Sequence, residues 1–212
     1  MTSLFISFEG IEGCGKSTQI QLLHEALLKQ GKKVLLTREP GGTLLGEQIR
    51  KILLARENTQ MTSLCELFLY AADRAQHCEE VILPALKKNF IVLCDRFSDS
   101  TLAYQVGGRQ IPLDKLQPVL NLANTKIKPH LTFLLDCPVE TGLNRAKNRG
   151  QIKKDQEDRF EQLELDFHKR VREYYLKISR EEKDRIVVMD GTREIKEIQK
   201  EIFKKLESYL QK

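Results

Sequence analysis

The sequence predicts an α/β fold, a five-stranded parallel sheet flanked by helices on both faces. Three observations carry this expectation. Five short apolar runs recur at strand length, the stretches between them place apolar residues at helical spacing, and a glycine-rich loop joins the first run to the first helical stretch.

The first run is Leu4 to Phe8. Beyond the glycine-rich loop, Ser17 to Gln30 carries Ile20, Leu23, Leu27 and Leu28 on one stripe and stops at Gly31, a helix-ending residue. The further runs are Lys33 to Thr37, Phe90 to Cys94, Leu131 to Leu135 and Arg185 to Met189. All are near-continuous rather than alternating, as in strands covered on both faces. Ile195, Ile198, Ile202, Leu206 and Tyr209 give the last stretch the helical period. Strands that alternate with helices are joined by right-handed crossovers, which makes the sheet parallel. Punctuation is local: Glu39-Pro40-Gly41-Gly42, Gly107-Gly108, and the polar tract Lys147 to Asp158, which has little to bury and reads as a mobile loop.

A chain of 212 residues can bury a self-sufficient core, and with no internal repeat or Gly/Ser linker it reads as one domain over residues 1–212. The net charge of +5 suits a polyanionic ligand, but 35 Lys and Arg are interleaved with 30 Asp and Glu, so nucleotide phosphates suffice as partners and nucleic acid is not required. No apolar run approaches the ~20 residues of a membrane span. Glu9 and Glu12 follow the first run too soon for a signal peptide, which implies a cytoplasmic protein with no membrane partner. Five cysteines form no C-x-x-C pair and are odd in number, consistent with free thiols.

Gly10-Ile11-Glu12-Gly13-Cys14-Gly15-Lys16-Ser17 matches G-x-x-x-x-G-K-[ST] after a strand and at the start of a helix, the context its mechanism requires. It makes the fold a three-layer P-loop NTPase fold. Backbone N–H groups of such a loop point at phosphate oxygens, and the helix N-terminus adds a favourable dipole. Lys16 reaches the β- and γ-phosphates of ATP, and Ser17 ligates Mg²⁺. Thr18 either adds a hydroxyl near the α-phosphate or serves only the helix start. Cys14 contributes its backbone more than its sulfur. Glu12 is informative, because a carboxylate inside an anion cradle repels what the loop collects. It either orients a cation or the phosphate acceptor, or faces solvent. Asp95, an acid at the end of an apolar run, holds the Mg²⁺ through water or merely ends a strand.

Phe8-Glu9-Gly10-Ile11-Glu12-Gly13 and Thr37-Arg38-Glu39-Pro40-Gly41-Gly42-Thr43 together resemble the thymidylate kinase family. The resemblance extends through Tyr70 to Arg74, Asp95 to Gln105, Asp158 to Glu161 and Phe167 to Val171. It implies transfer of the γ-phosphoryl group of ATP to dTMP, Mg²⁺ as cofactor, and a homodimer. It assigns Arg38, Arg74 and Arg96 to the acceptor phosphate and its surroundings, Arg50 close by, Glu39 near the sugar, Tyr70 to a stack on thymine, and Thr101 and Gln105 to the base. Three arginines also suit a doubly charged monophosphate on physical grounds, since planar guanidinium groups bind it in a bidentate manner.

The same resemblance makes residues from about 142 to 158 a basic lid of the kind common in bacterial members. A lid that brings arginine onto the transferring group stabilises charge and excludes water. Arg149 is expected as the arginine finger, with Glu12 helping to place it, and Arg145, one turn earlier, as a contact to ATP. The nearest rival is a P-loop kinase for another nucleoside monophosphate or a deoxynucleoside. A GTPase switch would carry an N-K-x-D segment, which is absent from the sequence.

Overall fold

The computed structural model describes residues 3–153, 159–160 and 163–210. The sheet has five strands, β1 (Leu4–Glu9), β2 (Val34–Arg38), β3 (Ile91–Asp95), β4 (Leu131–Asp136) and β5 (Ile186–Asp190), in the order β2-β3-β1-β4-β5. Every pairing is parallel. All five expected runs are strands, and their ends differ from the expected ones by a single residue with one consequence. Each strand terminates in a charged residue: Glu9, Arg38, Asp95, Asp136 and Asp190. The carboxyl edge of the sheet, where doubly wound folds bind ligands, is therefore lined with charge.

The helices are α1 (Lys16–Lys29), α2 (Leu44–Leu54), α3 (Ser63–His77), α4 (Leu83–Lys87), α5 (Ser98–Thr101), α6 (Leu113–Ala123), α7 (Val139–Lys153), α8 (Leu165–Glu181) and α9 (Ile195–Leu210). π-Helical stretches at Cys78–Ile82 and Leu102–Gly108 join α3 to α4 and prolong α5. Side chains of β1 alternate between two cores. Leu4, Ile6 and Phe8 pack with Ile20, Leu23 and Leu27 of α1 and with residues of α8 and α9, whereas Phe5 packs on the other face with Cys78, Ile82, Val92 and Phe97. Burial on both faces is why β1, β3 and β4 read as continuous apolar runs, while the edge strands β2 and β5 are only partly covered.

Buried polar residues tie the layers together. Arg185 donates to both oxygens of Asp99 at 2.8 and 2.9 Å and to Thr132 Oγ1 at 2.7 Å, which anchors the short α5 against β4. Thr43 and Thr62 cap α2 and α3 by accepting from the backbone N–H groups of Gly46 and Cys65. Among the described residues no helix is long and apolar enough to cross a membrane.

One expectation is corrected. The tract from Lys147 reads as a loop, but α7 continues to Lys153. Lys, Arg and Gln are good helix formers, so a stretch without an apolar stripe can still continue an anchored helix. The remainder of the expected lid, residues 154–158, lies outside the described residues.

Candidate active site

The glycines of the P-loop are demanded by its geometry. A Cβ on Gly10 (φ 134°) would lie 2.3 Å from the Leu135 carbonyl oxygen, and one on Gly13 (φ 68°) 1.9 Å from that of Gly142. Gly15 caps α1 in the left-handed region without a side-chain hydrogen bond, and the first turn carries no acidic residue. The positive end of α1 therefore favours an anion. Lys16 is buried, and its Nζ donates to the carbonyls of Gly10 at 3.0 Å and Ile11 at 2.8 Å, spanning the loop from within. Cys14 is buried beneath it, and Thr18 is exposed.

Ser17 Oγ donates to Asp95 Oδ2 at 2.9 Å across the mouth of the loop. This hydroxyl–carboxylate pair fits Mg²⁺, which prefers oxygen ligands and completes its shell with phosphates and waters. Among the described residues no group of three or more His, Cys, Asp or Glu side chains could hold a metal ion by itself, so the pair is suited to a metal that arrives with a phosphate ligand.

Arg96 follows Asp95 with φ 73°, a left-handed conformation that is uncommon without glycine and gathers at functional sites. Its Nη2 donates to Glu12 Oε1 at 3.3 Å and to the Tyr104 hydroxyl at 3.1 Å, and its Nη1 to Ser100 Oγ and the Tyr175 hydroxyl, both at 3.2 Å. Tyr104 also donates to Glu12 Oε1. Burial alone would raise the Glu12 pKa, but His168, Arg96 and Lys16 together hold the carboxyl well below its usual range. Glu9, at the end of β1, accepts from the Phe97 N–H at 2.7 Å, Ser100 Oγ at 2.6 Å and the Tyr175 hydroxyl at 3.0 Å. Burial, with the charge of Asp99, pushes its pKa up to about 7.

The expected acceptor residues gather beside this junction, with many of their polar atoms turned on one another. Arg74, 2% exposed, donates to Glu39 Oε2 at 2.8 Å and Thr101 Oγ1 at 2.8 Å and lies over the Phe97 ring. His77 Nδ1 lies 2.9 Å from Glu39 Oε1. Gln105 donates to the buried Glu66, which also receives Arg109 and Arg159. Tyr70 is half-buried near the Phe160 ring. Arg38 is exposed and paired with Glu47, and Arg50 donates to the Pro40 carbonyl at 3.1 Å.

Of the expected lid residues, Arg145 reaches the Gly191 carbonyl at 2.8 Å, in the turn after β5. Arg149 lies on α7, and its side chain is outside the described residues. Tyr104, Tyr175, Ser100, His168 and Glu66 were not singled out from the sequence. Ser100, Tyr104 and His168 lie within the blocks Asp95 to Gln105 and Phe167 to Val171 that carry the family resemblance, which was the one signal that pointed to them.

The thymidylate kinase family model matches residues 8–202. The chain is 54% identical over 190 residues to a thymidylate kinase of Trichlorobacter lovleyi, covering 89% of this chain and 90% of that protein. It is 56% identical over 189 residues to one of Geotalea daltonii, covering 88% of each. The crystal structure of thymidylate kinase from Ehrlichia chaffeensis superposes with a TM-score of 0.78 at 33% identity, over 98% of this chain and 99% of that one.

Glu9 links this site to stability. Its folded pKa lies above the unfolded one, so between pH 4.5 and about 7 the folded state keeps a proton that the unfolded state has released. Stability therefore falls as pH rises through that window. Urea unfolding at a series of pH values is expected to show a shallower decline for Glu9→Gln than for the unmodified protein; parallel curves would show that Glu9 titrates normally.

Proposed function

The chain belongs to the thymidylate kinase family and is a phosphotransferase that converts dTMP to dTDP with ATP, and from that premise we propose how its residues divide the work. The observation that carries the division is the meeting of the P-loop and Arg96 at Glu12, 3.3 Å apart, because it puts a phosphate-seeking guanidinium at the edge of the cradle. ATP takes the loop, with the N-terminal N–H groups of α1 and Lys16 on its phosphates; Lys16 exchanges its loop carbonyls for the β- and γ-oxygens. Ser17 and, through water, Asp95 would hold Mg²⁺, which would neutralise charge on the ATP phosphates.

The acceptor phosphate takes Arg96, with Arg38 and Arg50 at the outer edge. Tyr70 stacks on thymine. Arg74, Glu39, Thr101 and Gln105 form the wall of the acceptor pocket, held rigid by Glu66 and His77. Positioning and charge stabilisation supply the catalysis, and no covalent intermediate is required. Arg149 closes from α7 as the finger, and Arg145 stays with the donor nucleotide near Gly191.

A pocket that recognises a single methyl group discriminates by only ~10 to 200-fold. In a coupled ADP-release assay dUMP should therefore be a poor but measurable acceptor, with purine monophosphates poorer still. Equal kcat/KM for dTMP and the purine monophosphates would refute the pyrimidine assignment.

The protein works as a homodimer in this reading, and the support is an exposed apolar face. Leu45 and Ile52 of α2 and Leu64 and Phe68 of α3 are each about half exposed, and Leu44 is almost wholly so. Large apolar residues exposed on two helices that pack together suit an interface. Sedimentation should give twice the 24.5 kDa chain mass, reduced to one chain in a Leu64→Glu, Phe68→Glu variant. A monomer at micromolar concentration would remove the dimer from the account.

A further inference from the structure

His168 has no part in the roles assigned above, yet it sits against the P-loop. It lies on α8 and is 0% exposed. Its Nδ1 is 3.5 Å from Glu12 Oε2, at the outer limit of a hydrogen bond. Neither ring nitrogen has a hydrogen-bond partner among the described residues, and neither has Glu12 Oε2. Unpaired buried polar atoms are rare and costly, and here Nδ1 and Oε2 face one another at 3.5 Å, near enough for His168 to lower the Glu12 pKa but without the geometry of a formed hydrogen bond. Tyr175, two turns along the same face of α8, donates to Glu9 at 3.0 Å. One helix face thus addresses both carboxylates of the segment that leads into the cradle.

Glu12 and the acceptor phosphate want the same cation. Glu12 Oε1 is 3.3 Å from Arg96 Nη2. In the reading above, on which this inference rests, that guanidinium binds a phosphate dianion. Two anions on one guanidinium repel. A buried carboxylate that gives up its cation needs another donor. We propose that His168 is a positioning residue that receives the Glu12 carboxylate when the acceptor phosphate claims Arg96, so that acceptor binding draws α8 onto the P-loop.

His168→Phe keeps a ring and removes the N–H. Loss of a hydrogen bond to a charged group raises KM for dTMP about tenfold, more than it changes kcat or KM for ATP. His168→Asn, whose amide nitrogen can occupy the place of Nδ1, returns KM for dTMP to within about threefold of the unmodified enzyme. In a Glu12→Gln background, where the side chain no longer competes as an anion, His168→Phe adds no further effect. The inference is overturned if the folded His168→Phe enzyme has an unchanged KM for dTMP, if its defect persists undiminished beside Gln at position 12, or if Asn is as impaired as Phe. The unmodified protein with ¹⁵N-labelled histidine gives an independent reading: the His168 ring resonances shift with dTMP and not with ATP alone, and no shift with dTMP overturns the inference. An unmodified enzyme that fails to phosphorylate dTMP would instead remove the functional reading itself.

Discussion

The Arg96 guanidinium is the constraint on which the site depends. It is 18% exposed, and a charge so far removed from water must be matched. Glu12 supplies the matching charge, and the hydroxyls of Ser100 and Tyr175, themselves held by Glu9, take the other N–H groups. The left-handed backbone at Arg96 costs about 1–2 kcal/mol for a residue other than glycine. It is held because the Arg96 N–H donates to the Phe8 carbonyl at 3.0 Å while the side chain is fixed at its far end. The P-loop, the end of β3, the π-helical stretch Leu102–Gly108 and α8 all meet on this one side chain.

The residues proposed for the acceptor side repeat the device. Glu39 draws Arg74 and His77 together, and Glu66 draws Arg109, Arg159 and Gln105. Removing one partner of such a buried pair typically costs about 3–5 kcal/mol, because the survivor is stranded. Such pairs are stiff, which suits the proposed role of positioning a phosphate. The exposed polar groups are different in kind. Ser17, Arg38 and Arg145 are exposed, where small movements are inexpensive.

The three inner strands were legible because burial on both faces leaves an unbroken apolar run, and the cradle was legible because its glycines and Lys16 answer a steric and electrostatic demand at fixed spacing. Glu12 stood out by its cost alone. Tyr104 and Tyr175 did not, since a hydroxyl reveals its role only through partners such as Glu12 and Glu9, 92 and 166 residues away in the chain. Thr101 and Gln105 show the opposite limit. Their spacing places them on one helical face but cannot say whether a base or a neighbouring side chain takes the hydrogen bond, and here Arg74 and Glu66 are their partners. The polar stretch after Lys147 misled because a missing apolar stripe argues against burial, not against helix.

Arg96 carries the central claim, that one forked cation joins the donor cradle to the acceptor phosphate. Its most direct measurement is steady-state kinetics of Arg96→Lys, which keeps the charge and removes the planar fork. The account predicts a fall in kcat/KM for dTMP of about a hundredfold or more with a much smaller change in KM for ATP. A folded Arg96→Lys enzyme with kcat/KM for dTMP within about threefold of the unmodified protein would contradict it.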